Sequence, residues 1–400
     1  AAAILFTGMM IWFYNREKRM GLRFNLDSIT SIGTGLKISF SLLYGLVCYI
    51  LIFPLTSTFS DRAFFGGDTW EYQSKAVNFA KGHGMQKFGQ LEGFHHYRFD
   101  RQDENLMTSF EVAAHEPYTT ANDFYRTPAY PLFIGLIYKI FGVHPLIAKH
   151  IQLILLIIIA SFLPWIGAFF WGRTGFWSGF VAGTLYISKY YGTADVILTE
   201  PLITFSIFLV IVAFINFNTR KIRFSSALLG LSLGISLLVK GSLIFLPFLL
   251  AAGMMWQAYR QKSFGVVKRL VIVGASMTVT ILPWSTYVSI TAGHLIILYT
   301  QDEEVLLDGN NEFSEDGGWH PEWRHDDEHF YKREEISELP LPIRVLKFYS
   351  SHPELFPRIF KDKLINAFTP FLGVWIILLL VIIDYWSSKI YQFFNKPAYI

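Results

Sequence analysis

The chain has 400 residues, 52% hydrophobic and 16% charged, with a formal net charge of +3. Soluble globular domains carry about 25% charged residues, so this deficit excludes an ordinary soluble fold. The Lys and Arg residues stand in small clusters at the ends of apolar blocks and form no basic face, which excludes nucleic acid as a partner. The single cysteine, Cys48, lies inside an apolar block, so neither an intrachain disulfide nor a thiolate metal cluster can form.

The apolar residues fall into blocks of about 17 to 25, the length a helix needs to cross roughly 30 Å of hydrocarbon. Runs such as Ile151 to Ala160 are apolar on every face, unlike the alternating segments of a barrel. In chain order the blocks are a partial one at 1–14, then 36–55, 145–171, 175–193, 199–217, 224–239, 241–259, 269–291 and 370–387. The pattern predicts an all-α polytopic membrane protein with eight or nine crossings. The opening Ala1-Ala2-Ala3 starts inside an apolar stretch and reads as the remainder of a longer helix, not as a cleavable signal.

Positive charge sets the expected orientation. The clusters around Arg16 to Arg23, Arg173, Arg220 to Arg223, Arg260 to Arg269, and Lys389 with Lys396 share one side if the spans alternate, and the positive-inside rule makes that side cytoplasmic. The apolar stretch Pro131 to Phe141 is too short to span and is expected to be juxtamembrane or re-entrant. Two polar segments, 56–144 and 292–369, then face the extracytoplasmic side, where short amphipathic helices are expected on the bilayer surface. The organisation predicted is a partial helix and linker at 1–35, a transmembrane core at 36–291, a second outer loop at 292–369 and a final span with its cytoplasmic end at 370–400.

Asp68, in Gly66-Gly67-Asp68-Thr69-Trp70-Glu71-Tyr72, is held close to the membrane surface among interfacial aromatics. It could serve as a general base, or simply cap the helix predicted after it. Asp195 and Glu200 lie in an apolar stretch before a span, where an ionisable group is costly unless it meets water or a partner. Helix capping is the alternative, with Pro201 in the first turn. Lys240, in a short outer turn, and Arg126, in Tyr125-Arg126-Thr127-Pro128, are suited to phosphate, with snorkelling to headgroups the alternative. In the second loop Glu315, Asp316, His320, His325, Asp326, Asp327, Glu328 and His329 could hold a divalent metal, but their spacing matches no metal motif and a solvated charged loop is expected. His95 and His96 read as surface residues.

These pieces, in this order, resemble the GT-C superfamily of membrane glycosyltransferases, in the branch with protein O-mannosyltransferases and the lipid A aminoarabinose transferase. The likeness lies in GGDTWEYQ after the first span, the small-residue run Ala76 to Gly84, YRTPAYPLF, a short apolar helix ending at Phe141-Gly142, LTEPL, and LVKGSLIFLP. It covers roughly residues 36–291, without a strict pair of adjacent acids after Gly67 and without any match in the last 110 residues or so.

The resemblance implies a GT-C-like helix bundle with juxtamembrane helices in its first outer loop. It also implies a polyprenyl-phosphate sugar donor, a lipid, glycan or protein acceptor, and an active site facing outward from what would be a bacterial plasma membrane. Asp68 would be the catalytic base, with Glu200 or Asp195 orienting the acceptor or sharing that role, and Lys240 and Arg126 would meet the donor phosphate. Glu71, Tyr72, Tyr130 and His83 would line the substrate. No obligatory metal is expected, fixed cations serving in its place, although a divalent ion is compatible with the loops. A transporter or flippase of an anionic solute, or a structural subunit of a membrane complex, would share the same spans.

Overall fold

The computed structural model of the chain describes residues 34–59, 68–85, 87–88, 120–121, 124–219, 223–260, 265–299, 306–314 and 329–368. The expected segments 1–14 and 370–387, His95, His96, and the second-loop acids and histidines other than His329 lie outside the described residues. The chain divides into two compact units, Ala1–Leu298 and Tyr299–Ile400.

In the first unit the described elements are α1 (Thr34–Ile52), α2 (Asp68–Lys81), α3 (Ala129–Phe141), α4 (Pro145–Tyr190), α5 (Glu200–Thr219), α6 (Arg223–Val239), α7 (Phe245–Arg260) and α8 (Gly265–Ala292). A two-residue antiparallel ladder pairs β1 (Lys87–Phe88) with β2 (Thr120–Ala121). Four stretches, Gly35–Ser57, Pro145–Phe170, Glu200–Thr219 and Gly265–Ala292, are long and apolar enough to cross a bilayer. Their outward faces leave Leu42, Val271, Val279 and Ile290 exposed, a surface that suits lipid and not water. The described chain is therefore an all-α membrane protein. α6 and α7, with 17 and 16 residues, fall short of that length on their own.

The segment Pro145–Tyr190 is helical on both sides of Gly172, whose left-handed φ of 59° reverses the chain. A Cβ added to Gly167 would lie 2.0 Å from the carbonyl oxygen of Gly175, one at Gly179 would lie 2.4 Å from that of Leu163, and one at Gly183 would lie 2.5 Å from that of Ala160. The partners move down one arm as the glycines move up the other, so α4 is an antiparallel hairpin whose arms touch backbone to backbone. The first arm matches the span expected at 145–171, the second lies within the apolar stretch 175–193, and the two are folded on a seam of small residues.

α1 lies against both arms. Ser41 Oγ donates to the carbonyl of Ser161 at 3.1 Å and accepts from Trp165 Nε1 at 2.9 Å. Tyr44 Oη bonds the carbonyl of Phe180 at 3.1 Å and the hydroxyl of Thr184 at 2.8 Å, its ring stacked on Phe180. Such bonds between helices are worth only about 0.6 kcal/mol each, but they fix register along an otherwise uniform apolar face.

α6 and α8 run parallel at close range. A Cβ on Gly230 would stand 2.2 Å from the Val273 carbonyl oxygen, and one on Gly234 would stand 2.6 Å from Thr280 Cβ. The spacing GLSLG is the small-xxx-small pattern that lets helices approach without a hydrophobic driving force. The core unit runs on to Leu298 because Trp284, Ser285 and Ser289 donate to the carbonyls of Leu298 and Ile296 and strap that segment back onto α8.

α3 matches the short apolar stretch before the second long span. Its 13 residues reach about 20 Å, too little to cross. Tyr130, Ile134, Ile137 and Tyr138 are buried in one cluster with Tyr72, Ala76 and Val77 of α2. Gly135 permits this, since a Cβ there would meet the Ala76 carbonyl oxygen at 2.9 Å.

In the second unit, α9 (Glu334–Ser337), α10 (Leu341–Ser351) and α11 (Leu355–Phe368) accompany a core of Leu307, Phe330, Tyr331, Ile336 and Phe348. The expectation of a uniformly solvated loop is corrected at His329, which is buried, donates from Nε2 to Glu312 at 2.7 Å and accepts the Tyr331 amide at Nδ1. Asn310 gathers this unit, its Oδ1 accepting from Tyr349 at 2.7 Å and Lys363 at 2.8 Å. Burial raises the Tyr331 phenol well above its ordinary range and lowers the Lys363 ammonium.

Candidate active site

The first turn of α2 carries Asp68, Glu71 and Tyr72, three and four residues apart and therefore on one face. Arg126, delivered from the segment just before α3, meets that face with its fork: Nη2 pairs with Asp68 Oδ1, and Nε donates to Glu71 Oε2 at 2.6 Å. The guanidinium also sits 5.0 Å from the Tyr125 ring centre and 5.7 Å from that of Tyr72.

The next residue ties this pair to another part of the bundle. Thr127 Oγ1 donates to the carbonyl of Val239 at 2.8 Å, at the end of α6. Lys240 follows immediately, in extended backbone, and its Nζ lies 3.7 Å from Glu200 Oε1 in the first turn of α5. Tyr72 stands between the two pairs. Its hydroxyl bonds Thr199 and feels Arg126, Asp68 and Glu200, and its ring meets Tyr130 edge to face at 4.9 Å. Segments distant in sequence thus bring Asp68, Arg126 and Glu200 to one tyrosine, with Glu71 and Lys240 as the ion-pair partners of Arg126 and Glu200.

Burial pushes the Tyr72 phenol up to about 12, with Asp68 and Glu200 adding to the rise and Arg126 opposing it. Tyr72 therefore remains a neutral hydroxyl at ordinary pH, and its contribution to stability fades only as pH climbs from about 10 toward 12. Desolvation works against the Arg126 charge, but the Glu71 and Asp68 carboxylates paired with it help to outweigh that and hold the guanidinium protonated.

The exposures separate working surface from support. The side chains of Asp68 and Glu200 are 49% and 51% exposed and that of Lys240 44%, whereas Arg126 is 14% exposed. The half-exposed Glu200–Lys240 pair contributes about 0–1 kcal/mol to stability, so holding the fold together is a weak reason for those two charges to meet. A ligand carrying its own phosphate and hydroxyls can compete for both pairs. Asp68 and Glu200 also sit at helix N-termini, where the dipole favours a carboxylate, so the capping reading and the chemical one are compatible.

Tyr130, expected against the substrate, is fully buried and donates to Gln152 Oε1 at 2.6 Å. Its place is behind Tyr72. Gln152 in turn donates to the carbonyls of Ala194 and Val196 at 3.2 and 3.1 Å, which anchors the turn carrying Asp195. Asp195 pairs with Lys149, a nearly buried ammonium at 3.1 Å, and not with a cation of the Arg126 and Lys240 group. His83, also expected at the substrate, follows the opposite end of α2, roughly 20 Å along the helix axis from Asp68, so the structure does not bring it to the cluster. Among the described residues no three His, Cys, Asp or Glu side chains converge on a common point that could hold a metal.

Sequence reasoning missed Lys149, Gln152, Thr127 and Thr199. Lys149 alone carried a signal, an ammonium within the first turns of a long apolar run.

No family model, no curated protein and no solved structure matches the chain.

Proposed function

We propose that this protein is a glycosyltransferase that moves a sugar from a polyprenyl-phosphate donor to an acceptor hydroxyl at the membrane surface. One observation carries the reading: the Asp68–Arg126 and Glu200–Lys240 pairs meet around Tyr72 at the same end of a lipid-facing bundle. A donor with its tail in the bilayer would present its phosphate at that level, and the positive-inside rule makes this end extracytoplasmic. Resemblance to GT-C enzymes points to the same residues.

In the proposed reaction the donor phosphate draws Arg126 and Lys240 away from their carboxylates. Asp68, released from the guanidinium, takes the proton of the acceptor hydroxyl. The acceptor oxygen forms its bond to the anomeric carbon as the bond from that carbon to the phosphate oxygen breaks, with inversion. The electron pair leaves on the polyprenyl phosphate, where Arg126 and Lys240 balance the growing charge, and Glu200 orients the acceptor.

Asp68→Asn should lower transfer in proteoliposomes by about 10²–10⁴-fold while leaving donor binding in place. Native rates in that variant would remove Asp68 from the chemistry. Loss of folded protein would show that its role is structural.

A further inference from the structure

The opposite end of the same bundle holds a second cluster of charge that the transferase reading does not use. The parallel packing of α6 on α8 sets their N-terminal turns side by side, because Gly230 faces Val273 and Gly234 faces Met277 and Thr280. An open groove there is lined by Arg223, Phe224, Ala227, Lys268, Arg269 and Ile272.

Arg269 is fixed in this groove. It donates to the hydroxyls of Ser225 and Ser226, each at 3.2 Å, and to the carbonyl of Phe217, and its Cζ lies 3.6 Å from the centre of the Phe217 ring. Arg223 and Lys268 are exposed at the rim. Below the cations the lining turns apolar, through Ala227 and Ile272, and Phe224 is 71% exposed beside them.

We infer that this groove binds an anionic phospholipid, its phosphate held by Arg223, Lys268 and Arg269 and its acyl chain laid along Phe224, Ala227 and Ile272. Three cations over an apolar floor complement both halves of such a lipid, as basic pockets between transmembrane helices do. A free phosphate ion would use only the upper half. Arg269, on α8, is held by α5 and α6 while it faces the groove. The inference does not depend on the transferase reading.

The test titrates the purified full chain in neutral detergent with phosphatidylglycerol, phosphatidylcholine or inorganic phosphate. Lipid adducts are counted by native mass spectrometry on the monodisperse fraction. Each cation near a charged headgroup is worth about fivefold, so Arg223→Gln with Lys268→Gln should weaken phosphatidylglycerol binding about thirty-fold. Lys139→Gln with Lys189→Gln removes the same charge elsewhere and should change nothing. Equal weakening in both double variants, or none in the first, would overturn the site. Full displacement of the lipid by inorganic phosphate at matched concentration would overturn the lipid as its occupant.

Discussion

Replacing Arg126 by alanine should lower sugar transfer by about 10²–10³-fold, the usual cost of deleting one group aimed at charge that develops in the transition state. The size follows from the double duty of this side chain. It holds Asp68 and Glu71 through separate nitrogens, and it is the most buried of the cations in the cluster. Without it two carboxylates in one helical turn face each other with no guanidinium between them, and the donor phosphate loses its two-pronged partner. Arg126→Lys keeps the charge but has no fork, so it should recover only part of the rate. Initial rates in proteoliposomes, read beside thermal unfolding, separate the chemical loss from misfolding. Transfer within two- to threefold of native in Arg126→Ala would remove the arginine from the mechanism.

Gly230→Leu should have the largest effect on stability, on the order of 3 kcal/mol. The Cβ alone would stand 2.2 Å from a backbone oxygen of α8, and backbone cannot rotate aside as a side-chain tip can. The helices must separate, and the cost passes along α6 to Val239, whose carbonyl holds Thr127. Gly253→Leu is the matched control, since nothing lies within 4 Å of a Cβ there and removing a helical glycine slightly favours the helix. Unfolding temperature and the monodisperse fraction in detergent should fall for the first variant and hold or rise for the second.

The bundle was readable because the length of an apolar run decides a membrane helix with little help from context. The expected spans at 199–217 and 269–291 match α5 and α8 within a few residues, and both helices are long and apolar enough to cross a bilayer. Asp68, Glu200 and Lys240 stood out because charge beside an apolar run demands an explanation. Which charges pair was not legible, because pairing is tertiary. Arg126 reaches Glu71 across 55 residues, and only the packing of α3 on α2 through Gly135 sets that distance. The same rise per residue that puts Glu71 and Tyr72 beside Asp68 carries His83 away. Tyr130, expected against the substrate, and His329, expected in a solvated loop, are both buried for a common reason: each polar tip finds a distant partner, Gln152 for one and Glu312 for the other, which no local pattern announces.

In the proposed complex a lipid-linked sugar phosphate sits among Asp68, Arg126, Glu200 and Lys240. A polyprenyl-phosphate sugar bearing a photoactivatable diazirine on the sugar, crosslinked to the chain in proteoliposomes and mapped by peptide mass spectrometry, tests it directly. Label is expected in peptides containing 68–72, 124–128, 199–200 or 240–244, displaced by unlabelled polyprenyl phosphate. Label confined to residues 223–227 and 268–272, or spread without displacement, would contradict it.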